Sequence, residues 1–215
     1  MIKRIYCLLL MVSVSALVSN SACAEVVGQT ADGYIHRYTA VNGQEIYYVS
    51  TIEETMVDTN TDVNFDGQAD LAVVTALGAS NARHVFYLWN GSEYIRAEHV
   101  TGDLINYALV DGKYLLSRSN DGNAGMLFHA EVCVWEGSTL KTIRMMVSEE
   151  ETTITWEGNT RIETLNPDRL HVTLWEMDGA VGGSEILWEK TYEPFPDDPD
   201  TLHEMEEHLW GGLRE

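Results

Sequence analysis

Asp62-Val63-Asn64-Phe65-Asp66-Gly67-Gln68-Ala69-Asp70 runs straight into Leu71-Ala72-Val73-Val74-Thr75-Ala76-Leu77. The second half decides the fold. Leu71-Ala72-Val73-Val74 is apolar at odd and even positions alike, so a strand over Asp70–Leu77 offers both faces for burial and belongs in the middle of a layered structure. The runs around it mix polar and apolar residues, as strands covered on one side do.

Outward from that strand, β-branched and aromatic residues cluster between turn signals. Asn42-Gly43 separates Tyr34–Ala40 from Glu45–Thr51, and Asn90-Gly91 separates His84–Trp89 from Glu93–Val100. Asp111-Gly112 joins Leu104–Val110 to Lys113–Ser119, and Asp121-Gly122 precedes Met126–Trp135. Such pairs suit hairpins because they tolerate positive φ. Further strands are expected at Thr139–Val147, Thr152–Trp156, Thr160–Leu165, Leu170–Met177 and Glu185–Tyr192, with Gly179–Ser184 as a long hairpin connection. Trp89-Asn90-Gly91-Ser92, Trp135-Glu136-Gly137-Ser138 and Trp156-Glu157-Gly158-Asn159 form an internal echo. It reads either as a repeated unit with an aromatic anchor or as ordinary hairpin punctuation. The expectation is an all-β domain of antiparallel hairpins, propeller-like or a sandwich.

Only the C-terminus reads as helix, over about 200–210. Thr201-Leu202-His203-Glu204 resembles a capping box, and Leu202, Met205 and Leu209 form an apolar stripe. His203-Glu204 and His208 do not make a zinc-protease motif. That motif spaces its histidines four apart, whereas these are five apart and fall on different faces.

At the other end, Lys3 and Arg4 precede the apolar run Cys7–Val18, which is too short to span a bilayer, and Ala22-Cys23-Ala24 supplies small residues. This predicts a signal peptide over residues 1–24, a mature start at Glu25 and one β-rich domain over 25–215, periplasmic or secreted. Lipidation at Cys23 is the competing reading, with Asn20 standing where a lipobox has Leu. No later run is apolar enough to make a transmembrane segment. Cleavage removes two cations and no anion, taking the formal charge from -21 to -23. So acidic a chain repels phosphate backbones, which disfavours nucleic acid as a partner.

Cleavage also leaves Cys133 as the sole thiol, so no intrachain disulfide holds the mature domain. Alternation places His129, Glu131 and Cys133 on one strand face. Such a row could bind metal or activate the thiol, but with no second ligand motif it reads as a polar face carrying one small hydrophobe.

The nine-residue run carries the chemistry. Asp62, Asn64, Asp66 and Asp70 put oxygens at positions 1, 3, 5 and 9, Gly67 permits the sharp turn, and the Gln68 carbonyl falls at position 7. Hard oxygens at this spacing suit Ca2+. The start is similar to an EF-hand loop, but position 12 is Val73 and a strand follows, so Asp70 must supply the closing carboxylate. An ion-free acidic turn is the bland alternative.

The pattern D-x-[DN]-x-D-G-x-x-D before an apolar strand resembles the calcium loops of FG-GAP and VCBS-type β proteins over roughly Asp62 to Val100. Those proteins usually repeat the unit around a propeller, whereas here there is one good copy and no Phe-Gly or Gly-Ala-Pro signature. The chain also resembles small exported bacterial proteins with a single loop and an aromatic segment like Val85-Phe86-Tyr87-Leu88-Trp89. Some of these resemble periplasmic inhibitors or immunity proteins acting on peptidoglycan hydrolases, although the Ser-Gly-x-x-Tyr loop of some lysozyme inhibitors is absent.

No Gly-x-Ser-x-Gly elbow, P-loop or dinucleotide fingerprint occurs, and carboxylates are too abundant to single out an acid–base pair. Three functions are therefore weighed. The first is a non-enzymatic calcium-binding module recognising a protein or cell-envelope component. The second is an inhibitor of a basic cell-wall hydrolase, and the third a carboxylate-dependent hydrolase without a recognisable motif.

Overall fold

The computed structural model describes residues 22–99, 103–122, 126–178, 184–193 and 199–214. The expected signal segment lies almost wholly outside them, as does most of the 179–184 connection. The described residues begin with β1 (Ala22–Cys23), β2 (Glu25–Thr30), β3 (Gly33–Thr39) and β4 (Glu45–Ser50). It continues through β5 (Met56–Asp58), β6 (Leu71–Leu77), β7 (Ala82–Trp89), β8 (Tyr94–Arg96), β9 (Glu98–His99) and β10 (Leu104–Ile105). Then come β11 (Ala108–Val110), β12 (Tyr114–Gly122), β13 (Leu127–Glu136), β14 (Thr139–Glu157), β15 (Thr160–Met177), β16 (Ser184–Tyr192) and helix α1 (Pro199–Trp210).

Three sheets result. β2-β3-β4 form an outer sheet, β1-β5-β6-β7-β10 with β8 form a middle one, and β11 to β16 form a third in chain order. Every pairing is antiparallel except β9, which lies parallel to the start of β14. Side-chain alternation locks the layers together. Tyr38, Ile46 and Tyr48 of the outer sheet pack on Val57, Leu71, Val73, Val85 and Tyr87. The intervening residues Ala72, Phe86 and Leu88 point the other way and meet Leu115, Cys133 and Leu140 of the third sheet. The far face of that sheet, with Phe128, Val132, Met146, Leu170 and Val172, is closed by Met205, Leu209 and Trp210 of α1. The expected two-sided strand is β6, flanked by β5 and β7 in the middle layer. Among the described residues the architecture is a layered all-β sandwich with one short C-terminal helix and no closed barrel.

Several local expectations are corrected. The expected strand Leu104–Val110 is two strands belonging to different sheets, broken at Asn106 with φ 43°. Its side chain accepts from Ala82 N (2.9 Å) and donates to the Arg118 carbonyl (3.0 Å), bridging two sheets at the break. Side-chain bonds of this kind compete with the ladder, and Asn tolerates positive φ. Glu93–Val100 likewise splits into β8 and β9. Thr139–Val147 and Thr152–Trp156 are instead one strand, as are Thr160–Leu165 and Leu170–Met177. Their hairpin runs on past its neighbours, bulging between Glu150 and Glu151. The helix starts at Pro199, where a missing amide costs nothing, so Thr201 is not the cap. Glu204 reaches Lys190 (2.7 Å) and Tyr192 (3.0 Å) on β16 instead.

The tryptophan echo is realised as three hairpin ends without a common anchor. Trp135 donates to the Val63 carbonyl at 2.6 Å, whereas Trp156 is 65% exposed. Turn chemistry holds in part: at Asn42-Gly43 only Gly43 takes a positive φ (84°), while at Asp111-Gly112 both residues do (55° and 62°).

Candidate metal centres

The oxygen-rich loop sits where β5 hands the chain to β6, between the middle and third sheets. Val63 is fully buried there and its carbonyl receives the Trp135 indole N–H, so the loop is pinned from the third sheet. The backbone then turns through two left-handed residues, Phe65 (φ 63°) and Gly67 (φ 86°). Left-handed backbone at phenylalanine costs roughly 1–2 kcal/mol, which the surrounding contacts must offset.

Asp62 accepts the amides of Asp66 (3.1 Å) and Gly67 (2.8 Å), and Asn64 Oδ1 also accepts Asp66 N (3.1 Å). Asp66 accepts Gln68 N at 2.8 Å and the Asn64 side-chain amide at 3.1 Å. These bonds fold the chain around the first three oxygen-bearing positions. Gln68 is exposed at the rim, where its amide is the one bonded to Asp66.

Asp70 is placed differently. Its side chain is 0% exposed; Oδ2 accepts Val63 N at 3.0 Å and Oδ1 accepts Trp89 N at 2.9 Å. It therefore staples the loop's start to the end of β7. Burial pushes its carboxyl above the ordinary range, opposed by those two amides. Each of these side-chain oxygens keeps a further lone pair after one hydrogen bond; among the described residues, however, the Asp62, Asp66 and Asp70 carboxylates do not converge as a group of three ligand atoms.

A second constellation has gathered elsewhere. Among the described residues, one group of three His, Cys, Asp or Glu side chains brings its ligand atoms within 4.8 Å of one another: His99, Glu131 and Cys133. Glu131 and Cys133 share a face of β13 by the two-residue strand period. His99 arrives on β9, paired with Leu140 of β14, from 32 positions before Glu131. Its Nε2 lies 3.8 Å from Glu131 Oε2 and 3.9 Å from Cys133 Sγ. Thr142 donates to Glu131 Oε2 at 2.6 Å, and His129 Nε2 stands 3.1 Å from Oε1. The side chains of His99 and Glu131 are each only 10% exposed, and Cys133 is fully buried.

Beside the row His129, Glu131, Cys133 the fold places His99, whose two-residue parallel strand gives no periodic signal in the sequence. Burial pushes the Cys133 thiol up to about 12, with Glu131 adding to the effect. As a free thiol it stays protonated at neutral pH and is no nucleophile. The bond to Glu131 raises the His129 pKa, against the opposing effect of burial.

His99 also lines a cavity of about 120 Å³ with His84, Asp103 and Trp135. Among the described residues no helix is long and apolar enough to cross a membrane. Comparison with family models, curated proteins and solved structures gives no match for this chain.

Proposed function

We propose that this is an exported, non-enzymatic calcium-binding β domain that recognises a protein or another cell-envelope component. The observation that carries the reading is the loop itself. Asp62, Asn64 and Asp66 are wrapped around two left-handed residues at the head of the central strand, with Asp70 closing the loop from inside. The ligands are Asp62, Asn64, Asp66, the Gln68 carbonyl and Asp70, and the resemblance to FG-GAP and VCBS-type loops supports the same set. Extracellular calcium modules hold the ion at roughly 0.1–1 mM. At 100 times the dissociation constant, linkage adds about 2.7 kcal/mol to folding stability. Thermal melts in calcium and in chelator, with calorimetric titration, test this for the native protein and Asp66→Ala. Native protein is expected to melt higher in calcium, with Asp66→Ala losing most of the difference. Equal native melting temperatures together with no calcium heat would refute the site.

The second reading, an inhibitor of a basic cell-wall hydrolase, is favoured by one feature. The β14–β15 hairpin projects past its neighbours and carries Ile154, Trp156 and Leu165 exposed at 48%, 65% and 61%. A projecting ribbon with an aromatic tip suits insertion into a cleft, and strong negative charge would speed encounter with a basic enzyme. Association slowing with added salt, and weakened by Trp156→Ser, is the expected result. Absence of binding to any envelope hydrolase at low salt removes this reading.

A further inference from the structure

We propose that His99, Glu131 and Cys133 form a buried binding site for a zinc-class transition-metal ion, distinct from the calcium loop. The donor set is one imidazole nitrogen, one carboxylate oxygen and one sulfur, which selects against calcium and magnesium and suits zinc or cobalt. The spacing fits. The edges are 3.8 Å and 3.9 Å, with the third within 4.8 Å. A point equidistant from three such atoms lies at most about 2.5 Å from each, against zinc bonds of ~2.0–2.3 Å. Side-chain movements of a few tenths of an ångström complete the coordination.

Charge and support agree with the geometry. A carboxylate and a thiolate together balance a divalent ion, which removes the cost of burying either anion alone. Thr142 donates to one oxygen of Glu131 and the His129 ring stands 3.1 Å from the other, contacts from outside the triad of the kind that orient metal-binding carboxylates. The β-bulge that leaves Ile143 of β14 unpaired opposite Val132 and Cys133 adjusts the register beside the two ligands. His99 forms a wall of the 120 Å³ cavity, so open space reaches one of the three ligands. Three protein ligands leave one tetrahedral position for a further ligand.

The test uses the full chain in excess calcium, so that the Asp62–Asp70 loop is occupied or irrelevant. Cobalt(II) is added as an optical probe, and zinc affinity is read by competition with a chromophoric chelator. The native protein is expected to take up one equivalent and show a thiolate-to-cobalt charge-transfer band. The band is expected to persist when Cys7 and Cys23 are both changed to Ser, and to vanish in Cys133→Ser. Losing an outer contact to a metal ligand typically costs ~10–100-fold in affinity, so His99→Gln and Glu131→Gln should each weaken zinc by at least about 100-fold. No thiolate band in the double variant that keeps Cys133, or zinc affinity unchanged in both His99→Gln and Glu131→Gln, overturns the proposal. Neither result depends on whether the loop binds calcium.

Discussion

Replacing Asp70 by alanine removes the acceptor from two amides at once. Val63 N lies 3.0 Å from one carboxylate oxygen and Trp89 N 2.9 Å from the other, and Asp70 and Val63 are each 0% exposed. Leaving a buried N–H unsatisfied costs ~1–3 kcal/mol, so the pair is worth about 2–6 kcal/mol. Burial also pushes the Asp70 carboxyl up, which means the native charge carries a desolvation cost that alanine relieves. The expected loss is therefore in the lower half, about 2–4 kcal/mol, out of the ~5–15 kcal/mol a domain possesses. Urea unfolding followed by tryptophan fluorescence measures it, and running it in chelator removes any contribution from calcium. Asp66→Ala, on the exposed rim, serves as the control and should stay within about 1 kcal/mol of native in chelator. Asp70→Asn keeps one acceptor oxygen but turns an NH2 toward the other amide, so it should fall between. An Asp70→Ala variant within 1 kcal/mol of native in chelator would refute the idea that this carboxylate staples loop to sheet.

Other consequences are open to direct measurement. Leu115→Ala empties a fully buried position between the middle and third sheets, and a loss of ~2–5 kcal/mol in denaturant unfolding is expected. Burial lowers His84 from 6.5 to about 4, so only the unfolded chain gains its proton as pH falls below 6.5. Stability should drop by about 1.4 kcal/mol per pH unit, near 3 kcal/mol once pH reaches 4, and His84→Gln should flatten that component of the pH profile. Trp156→Ser is expected to leave stability within about 0.5 kcal/mol, since the ring is 65% exposed; a large thermal shift would mean the arm packs on the body.

The sequence was informative where short-range physics decides. β6 declared its two covered faces through Leu71-Ala72-Val73-Val74, and the hairpin around Asp111-Gly112 follows from two residues that accept positive φ. It was least informative where long-range pairing decides. β5 has three residues and β9 two, too few for alternation to register, and each exists because a distant strand supplies its hydrogen bonds. Asn106 reads as an ordinary polar residue within an apolar run, and its role as a crossing point depends on Ala82 and Arg118. In the loop, the residue types announce oxygens but not their division of labour. Asp70 looks like one more carboxylate, yet it alone faces inward, because Trp89 N waits at the end of β7. His99 shows the same limit at the second centre: the i, i+2 pair on β13 is visible in the chain, but its third member is brought by topology.

The layers also follow the chain. Residues 25–50 complete the outer sheet, 56–105 supply nearly all of the middle one, and 108–192 the third, before 199–210 close the far face. A chain delivered N-terminus first can therefore finish each ladder from neighbouring residues and offer the next layer a formed surface to condense on. The costly long-range steps are few, and the parallel pairing of His99 with Leu140 is one of them. Until residues 199–210 arrive, the apolar face around Leu170 and Val172 lacks the cover that α1 gives it, so a chain stalled before Pro199 is exposed to aggregation. α1 then covers that face with Met205, Leu209 and Trp210.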